Sequence, residues 1–254
     1  MGKQRKTSWE SSAKWYDQTV KEKGHYYHEK VILPKLLPLL ELDKTRDPSV
    51  LDLACGQGVF ARSLPPKVTY AGVDISTSLI ASAKKRGKNQ NHQFFVGDLN
   101  KKLPLKKRDF SHAFIILALQ NLENPEIAIQ SAFAHLREKG KFLIVLNHPC
   151  FRIPRQTHWG FDEGKKCQYR RIDHYLSPLK IPIKTHPGKE KSEETWSFHR
   201  SLSFYTKCLR EAGFVLLEME EWVSDKKSTG SRAAMENRAR KEIPLFLTLV
   251  AEKS

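Results

Sequence analysis

One short segment constrains the fold of this chain more than any other. Residues 50–54, V-L-D-L-A, are apolar apart from Asp52, and they lead directly into the turn C-G-Q-G. A buried strand that ends in such a turn predicts a βα unit, with its helix opening at about Val59. Gly56 and Gly58 let the chain turn tightly and bring its backbone close to a ligand where a Cβ would collide. The segment therefore predicts a ligand site at the end of a buried strand.

Short apolar runs alternate with helical patterns along most of the chain. Strands are predicted at 50–54, 68–73, 94–96, 113–119, 142–146, 215–223 and 244–251. Apolar runs separated by helices are typical of buried parallel strands, and a long excursion between the last two lets them pair antiparallel at the edge. The predicted fold is α/β and Rossmann-like: a doubly wound, mostly parallel sheet with an antiparallel last strand and helices on both faces.

Three helices carry clear sequence signals. A helix over 26–42 has an apolar stripe, although Pro34 and Pro38 must kink or shorten it. A helix after the fourth strand has Asn124 as its N-cap, Pro125 at its first position and Gly140 as the left-handed residue beyond its end. The segment 202–212 reads as a helix closed by the glycine that follows it.

The length of 254 residues fits one domain with insertions. We expect an N-terminal arm and cap helix over residues 1–49 and the α/β domain over residues 50–254. Within that domain, residues 148–200 are rich in Pro and aromatic residues and follow the fifth strand, so they start at the carboxyl edge of the sheet. We call residues 148–200 the lid segment.

Three acidic residues follow or interrupt predicted strands. Asp52 lies within the first, Asp74 ends the second, and Asp98 follows the third. The carboxyl ends of parallel strands share one edge, so these carboxylates should meet in a single crevice. Asp74 is placed to accept the ribose hydroxyls of a nucleoside, and Asp98 to accept from an adenine amino group.

Three motifs carry a family resemblance that covers residues 50–146. The turn D-L-A-C-G-Q-G resembles the first motif of class I S-adenosylmethionine-dependent methyltransferases of the type 11 kind. The segments 108–113, R-D-F-S-H-A, and 136–142, L-R-E-K-G-K-F, resemble their entries to the fourth and fifth strands, with Lys141 where a second glycine is common. The resemblance implies S-adenosylmethionine as cofactor and a binding set of Asp52, Ala54, Cys55, Gly56, Gln57, Gly58, Asp74, Ile75, Asp98, Leu99 and Leu117.

A nicotinamide dehydrogenase is the rival reading, because the pattern G-Q-G-V-F-A also satisfies the dinucleotide fingerprint. Asp52 disfavours it. A dinucleotide site places a pyrophosphate at the helix N-terminus, where a neighbouring acid would oppose binding, whereas the ammonium group of S-adenosylmethionine is attracted to one.

The acceptor is predicted from the segments around the fourth and fifth strands. The fourth strand lacks the D/N-P-P-Y turn of amino-group methyltransferases. Cys150 lies where RNA cytosine-5 methyltransferases carry a nucleophile, but the partner motif is missing. The net charge of +16 attracts polyanions, yet Lys84 to Arg86 and Lys106 to Arg108 should lie on the edge opposite the crevice. We expect a small aromatic or anionic metabolite as acceptor, with a tRNA or rRNA methyltransferase as the first alternative.

The lid segment and the N-terminal arm supply the candidate acceptor residues. They are Tyr16, Tyr27, His28, Trp159, Arg170 and His199, with His148 as a weakly indicated general base. A lid that merely covers the sheet, with solvated histidines, is an equally good reading. A second alternative function is a non-catalytic regulatory protein that binds the cofactor, which Tyr16 or Trp159 blocking the pocket would favour.

Several classes of protein are disfavoured by composition. No apolar run reaches the roughly 20 residues of a membrane span, and the first residues show no signal peptide. The four cysteines show no zinc or disulfide spacing, which predicts reduced thiols, no metal site and a cytoplasmic location. The oligomeric state is left open.

Overall fold

The computed structural model describes residues 8–20, 24–184 and 194–254. Its strands are β1 Ser49–Leu53, β2 Thr69–Asp74, β3 His92–Val96, β4 Phe110–Ile116, β5 Leu136–Asn147, β6 Thr157–Asp162, β7 Cys167–Ile172, β8 Leu179–Lys184, β9 Glu194–His199, β10 Phe214–Trp222 and β11 Phe246–Lys253. Its α-helices are α1 Ser8–Val20, α2 Leu33–Leu39, α3 Thr77–Arg86, α4 Pro125–His135, α5 Leu202–Ala212 and α6 Ala233–Glu242.

Seven strands form one sheet in the order β10-β11-β5-β4-β1-β2-β3. The pairs β1–β2, β1–β4, β2–β3 and β4–β5 are parallel, whereas β11 is antiparallel to both β5 and β10. The predicted mostly parallel sheet with an antiparallel last strand is confirmed. The order reverses beside β1, and ligands of open α/β sheets bind at the carboxyl ends of the strands at such a switch point.

Apolar helices cover both faces of this sheet. On one face α4 and α5 bury Ile129 and Leu209 against alternate β5 residues such as Phe142. On the other face α2 and α3 bury Leu36 and Ile80 in a second cluster with the remaining β5 residues. Strands that are buried on both sides explain why the runs of the sequence are continuously apolar.

The prediction of a helix that begins at about Val59 is wrong. After the glycine turn the chain makes only a short 3-10 helix, Ala61–Ser63, before β2. Pro65 and Pro66 follow at once, and a proline in a helix interior lacks the N–H donor and clashes with the preceding turn. The connection between β1 and β2 therefore ends before a full α-helix can form.

The predicted ends of α4 are partly wrong. Pro125 occupies the first turn as expected, but the Asn124 side chain makes no capping hydrogen bond. Gly140 lies inside β5 and does not close the helix, and Lys139 is the residue with positive φ, at 59°. The segment predicted as one kinked helix over 26–42 is a π-helical turn, His28–Ile32, followed by α2, which contains Pro38.

The lid segment forms two antiparallel hairpins, β6–β7 and β8–β9, between β5 and α5. Residues 185–193 of the lid segment, and residues 1–7 and 21–23 of the predicted N-terminal arm, lie outside the described residues. The division into arm, domain and lid stays a prediction. The four cysteines are free thiols, as expected. Within the described ranges, no helix has the length and apolar character that crossing a membrane requires.

Gly213 supports a prediction about stability. It ends α5 with φ 96°, and a Cβ there would lie 2.8 Å from Phe133 Cε2. Gly230 has nearly the same φ, 98°, with nothing within 4 Å of such a Cβ, so it serves as a matched control. Gly230→Ala should lower the free energy of unfolding by about 1 kcal/mol through backbone strain alone, and Gly213→Ala by about 2–4 kcal/mol, because overpacking adds to the strain. Urea denaturation measures both, and equal losses would contradict the packing argument.

Candidate active site

The turn after β1 is built from residues in the left-handed region. Ala54, Gly56 and Gly58 have φ values of 64°, 54° and 74°. A Cβ on Gly58 would lie 2.9 Å from the Phe94 ring, so both conformation and packing require glycine there. Ala54 adopts the same region at a cost in strain, which is typical of segments that position a ligand.

Asp74 joins the end of β2 to this turn. Its carboxylate accepts hydrogen bonds from the backbone N–H of Gly56 at 2.9 Å and of Ser76 at 2.9 Å. Burial raises its pKa, and the two backbone donors oppose that rise. A carboxylate offers about four acceptor positions, so the predicted role toward ribose hydroxyls is compatible with these bonds and stays a prediction.

Asp52 lies buried at the end of β1. The Tyr70 hydroxyl donates to its Oδ2 atom at 2.6 Å. Burial raises the pKa of Asp52 to about 8; the charge of Asp74 adds to the rise and the Tyr70 hydrogen bond opposes it. In the part of the chain that the structure describes, no Lys or Arg lies within salt-bridge distance of Asp52 or Asp74. Two buried carboxylates without a cation fit a ligand that carries positive charge, as the ammonium and sulfonium groups of S-adenosylmethionine do.

Two arginines support the glycine turn from the protein side through the Gln57 side chain. Gln57 is fully buried, and its Oε1 atom accepts from Arg62 Nη2 at 2.8 Å and from Arg86 Nη1 at 2.9 Å. Arg86 also pairs with Asp17 of α1 at 2.7 Å. The sequence analysis assigned Lys84 to Arg86 to the far edge of the sheet, and for the Arg86 side chain this is wrong. A buried glutamine in the motif is the one local signal that such donors must exist.

The α1 helix lies against the same crevice. Glu10 accepts from the Ser76 hydroxyl at 2.6 Å, which fixes α1 at the start of α3. The Tyr16 ring packs on the glycine turn, because a Cβ on Gly56 would lie 3.5 Å from Tyr16 Cε1. Burial, with the charges of Asp74 and Asp52, raises the pKa of Tyr16. Tyr16, expected beside the acceptor, therefore lies at the cofactor crevice.

Two residues of the predicted binding set direct their side chains into the protein. Cys55 is buried against Gly72, and burial raises the pKa of its thiol. Leu99 belongs to the apolar core on the α4 side of the sheet. Both are placed to meet a ligand through the backbone of their turns and not through their side chains.

The remaining predicted cofactor residues lie at the rim of the crevice. Asp98 accepts from the backbone N–H of Asn100 at 2.9 Å, and Ile75 is 38% exposed, as an apolar platform for a ring would be. Leu117 follows β4 with φ 53°, and its carbonyl accepts from Gln120 Nε2 at 2.8 Å. The Gln120 Oε1 atom is buried and has no partner among the described residues.

A second concavity lies farther along the same edge of the sheet. It has a volume of about 210 Å³, and its lining consists of Tyr27, Phe151, Arg152, Trp159, Arg170, Ile243, Pro244 and Leu245. The His148 N–H donates to the Leu245 carbonyl at 2.9 Å, which places the cavity at the carboxyl end of β5. The cavity thus brings together Tyr27, Trp159 and Arg170, three of the six candidate acceptor residues. We call it the lid cavity.

The histidines take other positions. His148 is buried; its Nε2–H donates to Glu221 at 2.7 Å, and its Nδ1 accepts from the Cys150 N–H at 3.2 Å. Both nitrogens are engaged, so a role as general base requires one bond to break and stays a prediction. His28 bonds to the His25 backbone, and His199 to the Tyr175 carbonyl at 2.7 Å. Neither His28 nor His199 lines the lid cavity.

Arg152 is a residue of the lid cavity that was not among the candidates from the sequence. It follows β5 in the segment H-P-C-F-R-I-P and reaches the lid cavity from its floor, with its backbone N–H bonded to the His148 carbonyl at 2.8 Å. Its charge was one of many in the lid segment, and no local pattern separates it from exposed cations.

Comparison with known proteins gives a family for the central part of the chain. Residues 51–144 match the family model described as "Methyltransferase domain". A demethylmenaquinone methyltransferase of Chlamydia pneumoniae is 30% identical over 113 residues, which are 43% of this chain and 47% of that protein. The chain spans about half the length of this curated relative.

Solved structures share the fold over most of the chain. An S-adenosylmethionine-dependent methyltransferase of Mesorhizobium loti has a TM-score of 0.64 at 24% identity, covering 85% of this chain and 96% of that one. A glycopeptide N-methyltransferase bound to S-adenosylmethionine has a TM-score of 0.52 at 18% identity, covering 81% and 87%. Family match, strand order and glycine turn agree: residues 51–144 match a methyltransferase domain, and the fold is that of class I S-adenosylmethionine-dependent methyltransferases.

Proposed function

We propose that this protein transfers the methyl group of S-adenosylmethionine to a small molecule that is aromatic, anionic or both. One observation carries the proposal: among the described residues, two buried carboxyl groups that pair with no cation and two arginines that pair with no carboxylate lie along the same edge of the sheet. The first fits a cationic cofactor. The second fits a small acceptor of opposite charge, held beside it.

Named residues would hold the cofactor. Asp52 and the turn at Gly56 and Gly58 would bind its amino acid part, and Asp74 its ribose. When bound, the cofactor supplies a methyl group attached to a sulfonium. That methyl group is transferred to the acceptor by direct displacement, and the neutral thioether is the leaving group. The protein's task is to orient the acceptor in line with that methyl and to exclude water, and good orientation contributes about 7–11 kcal/mol.

Methyl transfer from a sulfonium does not require a catalytic triad. Displacement at a methyl group needs no covalent intermediate with the protein, and a base helps only if the acceptor must lose a proton. Gln120, whose buried Oε1 has no partner among the described residues, supplies a hydrogen-bond acceptor beside the end of β4. It is placed to accept a hydrogen bond from the cofactor's ammonium group or from the methyl acceptor.

The RNA alternative is weakened by where the cations are engaged. Arg86 bonds to Gln57 and Asp17, and Lys141 pairs with Glu41 at 2.7 Å. Arg152 and Arg170 face the concave lid cavity of about 210 Å³. A phosphate backbone is bound by cations along an extended surface, whereas these four cations are engaged within the protein or face this cavity.

A labelled-methyl transfer assay tests the proposed function. The protein is incubated with radiolabelled S-adenosylmethionine and, separately, with a small-molecule extract, total RNA and a quinone extract. We expect label in the small-molecule fraction and its loss in Asp74→Ala. The variant Asp47→Asn, at an exposed carboxylate, should behave as wild type. Label only in RNA would contradict the proposed acceptor class, and cofactor binding without any transfer would favour the non-catalytic regulatory protein.

The raised pKa of Asp52 generates a prediction about pH. With a pKa of about 8 the free protein holds this carboxyl protonated at pH 6–7, whereas a bound cation favours the ionised form. Cofactor affinity should therefore rise from pH 6 to pH 8, by up to about tenfold per unit for one coupled proton, and level off above pH 8. Calorimetry in two buffers of different ionisation enthalpy should show proton release on binding at pH 6–7.

Matched variants isolate the carboxyl responsible. Asp52→Asn should bind the cofactor more weakly above pH 8 and show neither the pH dependence nor the proton release. Asp47→Asn, which removes an exposed carboxylate, should keep both. A wild-type cofactor affinity that stays constant between pH 6 and pH 8 would contradict the prediction that Asp52 ionises when the cofactor binds.

A further inference from the structure

We propose that the lid cavity is an anion site for an aromatic carboxylate, with the carboxylate on Arg152 and the ring against Trp159. This inference rests on the proposed function and assigns the acceptor's recognition group to particular residues. It follows from unneutralised charge, the fixed geometry of Arg170, the aromatic wall, and the position of the cavity on the sheet edge.

The charge of Arg152 pairs with no carboxylate among the described residues. Its guanidinium is partly buried, and among the described residues no carboxylate, hydroxyl or carbonyl bonds to it. The guanidinium carbon of Arg152 lies over the Phe246 ring, 5.9 Å from the ring centroid, in a cation–π contact. Burial lowers its pKa. A partly buried cation without an anion carries a desolvation cost, which an anionic ligand offsets.

Arg170 brings a second positive charge to the same cavity. Its Nε donates to the Phe151 carbonyl at 2.9 Å and its Nη2 to the Thr157 hydroxyl, so its guanidinium plane is fixed. Burial lowers its pKa, and the nearby charge of Arg152 lowers it further. No acidic side chain within the described ranges pairs with Arg170 either. Two like charges held together at a concave site create a potential that selects an anion.

Aromatic side chains form the wall around these charges. Trp159 is 40% exposed and stacks under the Arg170 guanidinium, 4.9 Å from its ring centroid. Tyr27 and Phe151 complete the wall. A flat aromatic ring packs well against aromatic side chains of this kind. A planar guanidinium group binds a carboxylate through two parallel N–H donors. The volume of about 210 Å³ limits the ligand to a small ring system.

The place of the cavity on the sheet fixes what its ligand can reach. Leu245 precedes β11, which pairs with the end of β5, and β4 and β1 follow in order. With strands about 4.8 Å apart, the cavity lies about 10–15 Å from the glycine turn. A ring held by its carboxylate at Arg152 therefore lies on the same sheet edge as the cofactor crevice. Arg152 would act as the specificity determinant that selects which acceptor atom meets the methyl group.

Binding of small probes tests the proposal without a known acceptor. Benzoate, benzamide and phenyl phosphate are titrated into the full chain, and binding is followed by calorimetry and by tryptophan fluorescence. The variants are Arg152→Gln and, as matched control, Arg171→Gln. Arg171 neighbours Arg170 on β7 and is exposed, with its own partner Asp173 at 3.1 Å. Cofactor binding and thermal unfolding are measured for every variant.

We expect benzoate to bind at least about tenfold more tightly than benzamide, because a charge-assisted bond is lost in the neutral analogue. Arg152→Gln should weaken benzoate binding by about tenfold or more, and Arg171→Gln by less than about twofold. Should Arg152→Gln fail to fold, the comparison of benzoate with benzamide on the wild-type chain still decides.

Other outcomes overturn the proposal. Equal affinity for benzoate and benzamide removes the anion site. Phenyl phosphate binding far more tightly than benzoate, with the same dependence on Arg152, replaces the carboxylate by a phosphate. A short RNA that displaces benzoate in an Arg152-dependent way assigns the site to a nucleic acid. If the wild-type chain does not bind S-adenosylmethionine but binds benzoate in the expected Arg152-dependent way, the proposed function is refuted and the anion site is supported.

Discussion

The bond between the Asp74 carboxylate and the Gly56 N–H holds the candidate active site together. It ties the end of β2 to the turn after β1, where three alternate residues adopt left-handed backbone. Gln57, fixed by Arg62 and Arg86, supports the same turn from the protein side. The turn can present bare backbone to a ligand only because these long-range bonds oppose its strain.

Charge separation along one sheet edge is the second organising feature. Among the residues that the structure describes, the crevice beside β1 buries carboxyl groups without cations, and the lid cavity beside β5 and β11 holds arginines without carboxylates. The protein does not pair these charges with each other, although doing so would lower their cost in the free state. Each group is instead left complementary to a separate ligand. The overall excess of positive charge gives no hint of this local division.

The sheet could be predicted from the sequence because its signals are local. Apolar runs, the spacing of helices and the glycine after α5 determine strand existence and direction. The errors arose where a local signal had two readings: Gly140 reads as a helix cap yet lies in a strand, and the turn after β1 leads into Pro65 and Pro66 before a helix forms. Arg86 and Arg152 acquire their significance through partners, or the lack of them, that lie far away in the sequence.

The N-terminal segment connects the two sites. Tyr16 of α1 packs on the glycine turn, while Tyr27 lines the lid cavity, so one stretch of chain contacts both regions. Glu10 and Asp17 fix α1 to α3 through Ser76 and Arg86. The Tyr16 ring, packed on the turn at Gly56, forms part of the wall of the crevice that a cofactor would enter. The segment thus contributes one tyrosine to each site, a placement that follows from tertiary contacts and not from the methyltransferase motifs.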